Sequence, residues 1–254
     1  MFEDELAFAN ELADRAATIA MDIFGGELGT QFKADSTPVT QADLRIEAMV
    51  RDAIANRFPG DAIFGEEGGQ TGKGERVWVI DPIDATKNFV AGIQIWATLI
   101  ALVVDNVPSV GVVSAPALGE RYTAAKDGGA FLNGNPIHVS DVAQVSSSFL
   151  LTPSLKELLS SSQPERFLNL ARQAKRNRGF GDFWGHMMVA RGSAEIMLEP
   201  SLRIWDIAAV RVVVEQAGGR VTNFGGGEFS DGGSALSTNG ALHDEVVKLL
   251  GLVL

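Results

Sequence analysis

The chain of 254 residues has no cysteine, one tyrosine and three histidines. Without cysteine there is no disulfide framework, no thiolate nucleophile and no thiolate zinc site. His138, His186 and His243 stand far apart and lack zinc-ligand spacing. Each is expected to be structural or exposed, with His186 left open as a wall of a substrate pocket. Basic residues are also scarce. Against 32 Asp and Glu there are 21 Lys and Arg, a net charge of −11, which argues against a nucleic-acid surface. The one basic cluster, "AKRNR" at 174–178, reads as a solvated helix end. No apolar run reaches the roughly 18 residues that span a bilayer, and no membrane association is expected. The acidic, amphipathic first stretch, "MFEDELAFANELADRAATIAMDIF", reads as a helix and not as a signal peptide. A cytoplasmic protein fits these absences.

The composition that remains, 46% hydrophobic and 21% charged, is that of an ordinary globular protein. Its length suits one large domain or two small ones sharing a core. Three- and four-residue apolar spacing predicts a helix over 2–24, stopped by Gly25-Gly26, and a second helix from near Thr40 along Ile46, Val50, Ile54 and Phe58. Thr40 followed by Asp43 resembles a capping box, which puts Asp43 in the first helical turn. Short apolar runs predict strands at 62–64, 77–80, 97–104 and 109–115, then a hairpin turning at Asp127-Gly128-Gly129. A loose serine-rich passage, 140–163, leads into a second half with helices near 164–175, 185–191 and 205–217. Strands are expected there at 194–198, in "GGRVTNF" and in "SALSTN", before a closing helix. The expectation is a layered α/β protein with two halves, 1–140 and 141–254, forming one compact unit.

Four acidic spots lie at element boundaries: Asp43, Glu66-Glu67 after Gly65, Asp81 with Asp84, and Asp206 after Trp205. Carboxylates are the preferred ligands of Mg2+, which also shares substrate phosphate oxygens. One such ion needs one or two protein carboxylates, so four or five around one cleft suggest two or three ions. In "DPIDAT", Pro82 stiffens the link between Asp81 and Asp84, and the Ile83 carbonyl is a candidate further ligand. The amides of Ala85 and Thr86 fall where a helix could begin and a phosphate could dock. Taken singly, each spot has a plainer reading: a solvated turn for "DPID", surface for Glu-Glu, and a helix N-cap for Asp206.

The joint pattern resembles the inositol monophosphatase family of magnesium-dependent phosphatases. The family's Trp-x-x-Asp-Pro-Ile-Asp-Gly-Thr-x-Asn-Phe is matched by Trp78, Asp81, Pro82, Ile83, Asp84, Thr86, Asn88 and Phe89, with Ala85 where glycine or serine is usual. Gly-Glu-Glu recurs at 65–67, and "WDIAAVRVVVEQAGG" matches the second signature, with Gln216 before the Ala. The resemblance covers nearly the whole chain. It implies an α-β-α-β-α sandwich, a dimer, and hydrolysis of a small phosphomonoester by a metal-activated water. Glu66, Asp81 and the Ile83 carbonyl would hold one Mg2+, Asp81, Asp84 and Asp206 a second, and Glu66 with Asp43 a third. Thr86 would position the water or help deprotonate it. If Ala85 has positive φ, about 1 kcal/mol of strain is expected. Ala91 lacks the polar side chain usual near the mouth.

Within the family the chain looks most like the histidinol-phosphate phosphatase branch, through "IWATLIALV", "VGVVSAPALGERYTAA" and "RGFGDFWGHMMVARGSAEIMLEP". Glu199 and Asp182, with the aromatic Trp184, would suit an ammonium and an imidazole. Asp182 reads equally well as an N-cap and Trp184 as packing. The alternatives are an inositol 1-phosphate or fructose 1,6-bisphosphate phosphatase, or a non-catalytic cation-binding module. An aspartyl-phosphate phosphatase of the haloacid dehalogenase type would need Asp-x-Asp, one residue closer than Asp81 and Asp84.

Overall fold

The computed structural model describes residues 2–26, 28–32, 38–161 and 163–251. Five layers alternate. The helices Glu3–Ile23 and Gln41–Arg57 cover one face of an eight-stranded sheet formed by residues 62–136. The helices Asp182–Ala190 and Ile204–Gln216 fill the space between this sheet and a five-stranded one. The helices Pro164–Gln173 and His243–Leu250 close the far side. This is the expected α-β-α-β-α sandwich.

Sequence patterning accounts for each layer. Glu3–Ile23 buries Ala9, Leu12, Ala13, Ala16, Ala20 and Ile23, a stripe of mostly small side chains that lets the helix lie close on its neighbours. Ile204–Gln216 is sandwiched between layers and accordingly has a nearly continuous apolar run, with seven of its residues from Ile207 to Val214 buried. It approaches the first sheet tightly at Gly111, where an added Cβ would lie 2.5 Å from the Ala209 carbonyl oxygen. Glycine there allows the helix, and the acid in its first turn, to sit down on the sheet. In the second sheet, alternation sends Ile196 and Leu198 to the outer helices and Met197 to Asp182–Ala190.

Several elements differ from the sequence reading. The basic cluster is no helix end: Arg176–Arg178 is an exposed edge strand, parallel to Phe149–Leu151. Its alternating polar side chains carry no apolar face, which hid it. The serine-rich passage contains the strand Phe149–Leu151 and a short helix Leu155–Ser160, capped by Ser154 through a bond from the Glu157 amide (3.2 Å). The strand expected at 77–80 runs on to Asp84. Asp206 is not an N-cap but the third residue of its helix, and Asp182 follows the N-cap Gly181. Among the described residues no helix is long and apolar enough to cross a membrane.

Candidate active site

Two parallel strands set the geometry. Ala62–Gly65 pairs in parallel with Arg76–Asp84, Gly65 opposite Ile80, so the carboxyl ends of both lie at the same end of the sheet. Glu66 therefore emerges beside Asp81, its amide bonded to the Ile80 carbonyl (3.2 Å). Along the strand, Trp78 and Ile80 face the two N-terminal helices and Val79 faces the layer containing Ile204–Gln216. Alternation then turns Asp81 toward that middle layer.

Asp84 is three residues on and in a regular strand would point the other way. A β-bulge corrects this: Asp81 pairs with Leu99 and Asp84 with Ala97, so three steps on one strand oppose two on the other. What the sequence suggested was a stiff turn is a bulged strand. Pro82, which has no amide to offer a ladder, occupies the irregular position, and its carbonyl accepts from Thr98 Oγ1 at 2.8 Å. Both aspartates thus face Asp206 in the first turn of Ile204–Gln216, and oxygens of Asp81, Asp84 and Asp206 lie within 4.8 Å of one another.

These carboxylates are held by backbone. Asp84 Oδ2 accepts from the Phe183 amide (2.9 Å), and Asp206 Oδ2 from the Arg203 amide (2.7 Å). Asp43 makes the foreseen capping box with Thr40, and Asp43 Oδ2 takes both the Thr40 amide (2.7 Å) and its hydroxyl (2.5 Å). Asp43 Oδ1 is buried with no hydrogen-bond partner, and so is Asp81 Oδ1. Desolvation and the neighbouring acids push these groups up. Burial raises Asp43 to about 6 and Asp206 to about 7. Asp81 and Asp84 rise well above the carboxylate range, first through burial and then through Glu66 and Asp182 respectively. Among the described residues no Lys or Arg forms a salt bridge with Asp81 or Asp84. Unpartnered buried oxygens in a cluster of like charge cost several kcal/mol unless a cation enters. The donor set, all hard oxygen, suits a divalent cation of the Mg2+ type.

Next to the acids, Ala85 has φ 63° and ψ 45°, in the left-handed region, and begins the five-residue helix Thr86–Val90. Thr86 Oγ1 donates to the Ile83 carbonyl at 2.9 Å. Ala91 is exposed at the end of this helix. On the other wall, buried Glu199 accepts from the Asp182 amide (3.1 Å) and is raised by burial and by the Asp182 charge. Asp182 itself is exposed, with φ 56°. Trp184 is different: its ring packs on Phe180 (centroids 5.0 Å apart) and against two apolar clusters. His186 is turned toward Ser237 (2.7 Å) and burial lowers it to about 3; His243 bonds Thr222 and Thr238; His138 is exposed. Glu47 is the residue sequence reading missed. It is buried one turn beyond Asp43 and accepts the amides of Glu67 and Gly68, both at 2.7 Å. An acid four residues after Asp43 was the available signal.

A carboxylate centre at the ends of two parallel strands, able to hold a hard cation, is what this geometry defines. The profile of the Inositol monophosphatase family matches residues 2–251. The chain is 46% identical to the histidinol-phosphatase of Mycobacterium tuberculosis, over 98% of this chain and 99% of that one. It is 42% identical to the histidinol-phosphatase of Streptomyces coelicolor, over 97% of each. The solved Thermotoga maritima IMPase superposes with a TM-score of 0.87 at 33% identity, covering 97% of this chain and 96% of that one. The chain belongs to the inositol monophosphatase family. It is a phosphoric monoester hydrolase acting on small phosphorylated substrates, in a family of metal-dependent enzymes.

Proposed function

We propose that the chain is a Mg2+-dependent phosphatase that converts L-histidinol phosphate and water to L-histidinol and phosphate in histidine biosynthesis. The observation that carries this reading is the acidic second wall. Glu199, buried, lies beside Asp182, at the rim, and the charge of Asp182 raises both Glu199 and Asp84. A substrate carrying an ammonium would relieve that charge, whereas an inositol or sugar phosphate offers only hydroxyls. The full-length likeness to relatives named histidinol-phosphatase, 39% to 46% identical, supports it. A relative named fructose-1,6-bisphosphatase/inositol-1-monophosphatase, from Thermotoga maritima, is 34% identical.

In this reading Glu66, Asp81, Asp84, Asp206 and the Ile83 carbonyl hold two Mg2+ ions, and Asp43 Oδ1 with Glu66 a third. Bound there, the ions supply the positive charge that acidifies water and neutralises phosphoryl oxygens. The protein's own part is orientation. Thr86 commits its proton to Ile83, which leaves the Oγ1 lone pairs to accept from the attacking water and aim it at phosphorus. The amides of Ala85 and Thr86 bind phosphoryl oxygens. Asp84, pinned by the Phe183 amide, keeps one oxygen for the cation. Asp182 and Glu199 fix the amine end, and Trp184 backs that wall through its packing. A cytoplasmic homodimer completes the reading, in line with the cysteine-free composition and the dimers usual in the family.

Phosphate release from histidinol phosphate, inositol 1-phosphate and fructose 1,6-bisphosphate, assayed side by side with Mg2+, tests the assignment. The expected result is the highest kcat/KM for histidinol phosphate; a preference for either of the others overturns the substrate.

A further inference from the structure

We propose that Glu47, with Arg51, is a positioning residue that braces the 65–69 loop and thereby presets the place of Glu66 for cation binding; the proposal rests on the metal-site reading above. Asp43, Glu47 and Arg51 succeed one another at four-residue spacing on the helix Gln41–Arg57, along one face. The three side chains have different work. Asp43 keeps one buried oxygen with no hydrogen-bond partner. Glu47, 3% exposed, turns both oxygens onto the loop: Oε2 takes the Glu67 amide, and Oε1 takes the Gly68 amide and Arg51 Nε, all at 2.7 Å. Arg51 reaches past it to the Gly69 carbonyl and, at 3.3 Å, to Thr71 Oγ1.

The loop is shaped to receive this brace. A Cβ at Gly65 would lie 2.5 Å from Glu47 Oε1 and 2.8 Å from Arg51 Nη2, and one at Gly68 2.8 Å from Glu47 Oε1. Glycine on either side of the Glu66-Glu67 pair lets a buried carboxylate touch the backbone. Glu66 is thus tied on its N-terminal side to Ile80 through the strand, and on its C-terminal side to Glu47.

The need is electrostatic. Glu66 emerges beside Asp81, itself clustered with Asp84 and Asp206, and like charges so placed favour a looser loop when no cation lies between them. Ordering a loop at the moment of binding costs affinity, and ordering it beforehand saves that cost. Arg51 matches the Glu47 charge, so the brace adds order and no further repulsion. Glu47 therefore acts on cation affinity and not on the chemical step.

The test compares wild type with Glu47→Gln as full-length, metal-free proteins. The amide keeps the shape but loses one acceptor and the ion pair. Titration calorimetry should show Mg2+ affinity lowered about 10-fold or more. The Mg2+ concentration for half-maximal activity should rise by a similar factor. At saturating Mg2+, kcat and KM should return to within about 3-fold of wild type. Arg51→Met, which spares the two amide bonds, should shift Mg2+ affinity the same way by less, and serves if Glu47→Gln fails to fold. Equal Mg2+ affinity in wild type and a folded variant overturns the proposal, as does a loss of kcat that saturating Mg2+ does not restore. A wild type that binds no Mg2+ would instead overturn the metal-site reading itself.

Discussion

The two walls of the cleft are built differently. The first takes its acids from strand ends and from the start of one helix, all in the N-terminal half, and each is fixed by the register of the sheet or by backbone amides. The second collects Asp182 and Glu199 from a helix start and a strand end of the C-terminal half, while Asp206, at the start of Ile204–Gln216, joins the acids of the first wall from across the cleft. Chemistry that must place like charges within a few ångströms is thus built where hydrogen-bond ladders leave the least freedom. In the proposed function, selection of a substrate falls to the second wall, where Asp182 is exposed at the rim, whereas Asp81 and Asp84 are buried.

Paired variants sharpen this contrast. Asp84→Asn keeps an oxygen to accept from Phe183 and should leave the fold intact. Turnover should nonetheless fall ~10²–10³-fold on every phosphomonoester, as loss of a preorganised electrostatic group does. Asp182→Asn should instead raise KM for histidinol phosphate about 10-fold and leave inositol 1-phosphate hydrolysis within about 2-fold, the worth of one charged contact at a partly wet site. Steady-state kinetics of both variants on both substrates check the division. Equal losses from both variants on both substrates would erase the distinction between the walls. The smallest effect belongs to Ala85. Its φ of 63° puts a Cβ in the left-handed region, and Ala85→Gly should stabilise the protein by about 0.5–1 kcal/mol, net of the entropy of the freer unfolded chain. Denaturant unfolding measures this, and a destabilised glycine variant would show that the strain is absent.

Much of the first wall was legible because its residues are neighbours in sequence. "DPIDAT" carries Asp81, Ile83 and Asp84 on one bulged strand end and Ala85 and Thr86 at the helix start just beyond it, and Thr40 with Asp43 announces its own capping box. Periodicity gave the helices Glu3–Ile23 and Gln41–Arg57, which carry regular apolar rows, while the layer order came from the family resemblance. Other features were hidden for identifiable reasons. Parity along a strand gave no warning that a bulge would turn Asp84 to the side of Asp81. Arg176–Arg178 pairs through backbone alone, so no apolar alternation marks it. The contact of Glu47 with Glu67 and Gly68 spans about twenty residues, and no local rule joins a helix acid to a distant loop amide. Trp184 packs on Phe180 and into apolar clusters, the plainer of the two roles that its place in the sequence offered.

The central claim is that the acids of the first wall tolerate one another only with divalent cations between them. Thermal melting of metal-free protein from pH 4 to 8, with and without Mg2+, tests it most directly. Asp43 and Asp206 are raised to about 6 and about 7 in the folded state, above the ordinary aspartate value near 3.9. Their contribution to stability is therefore fully present below about pH 4 and is lost as pH rises through 6 and 7. Without metal, Tm should fall across that window; with Mg2+ the fall should vanish, the stabilisation by the ion growing with pH. A melting curve equally flat across the window with and without Mg2+ would contradict the account.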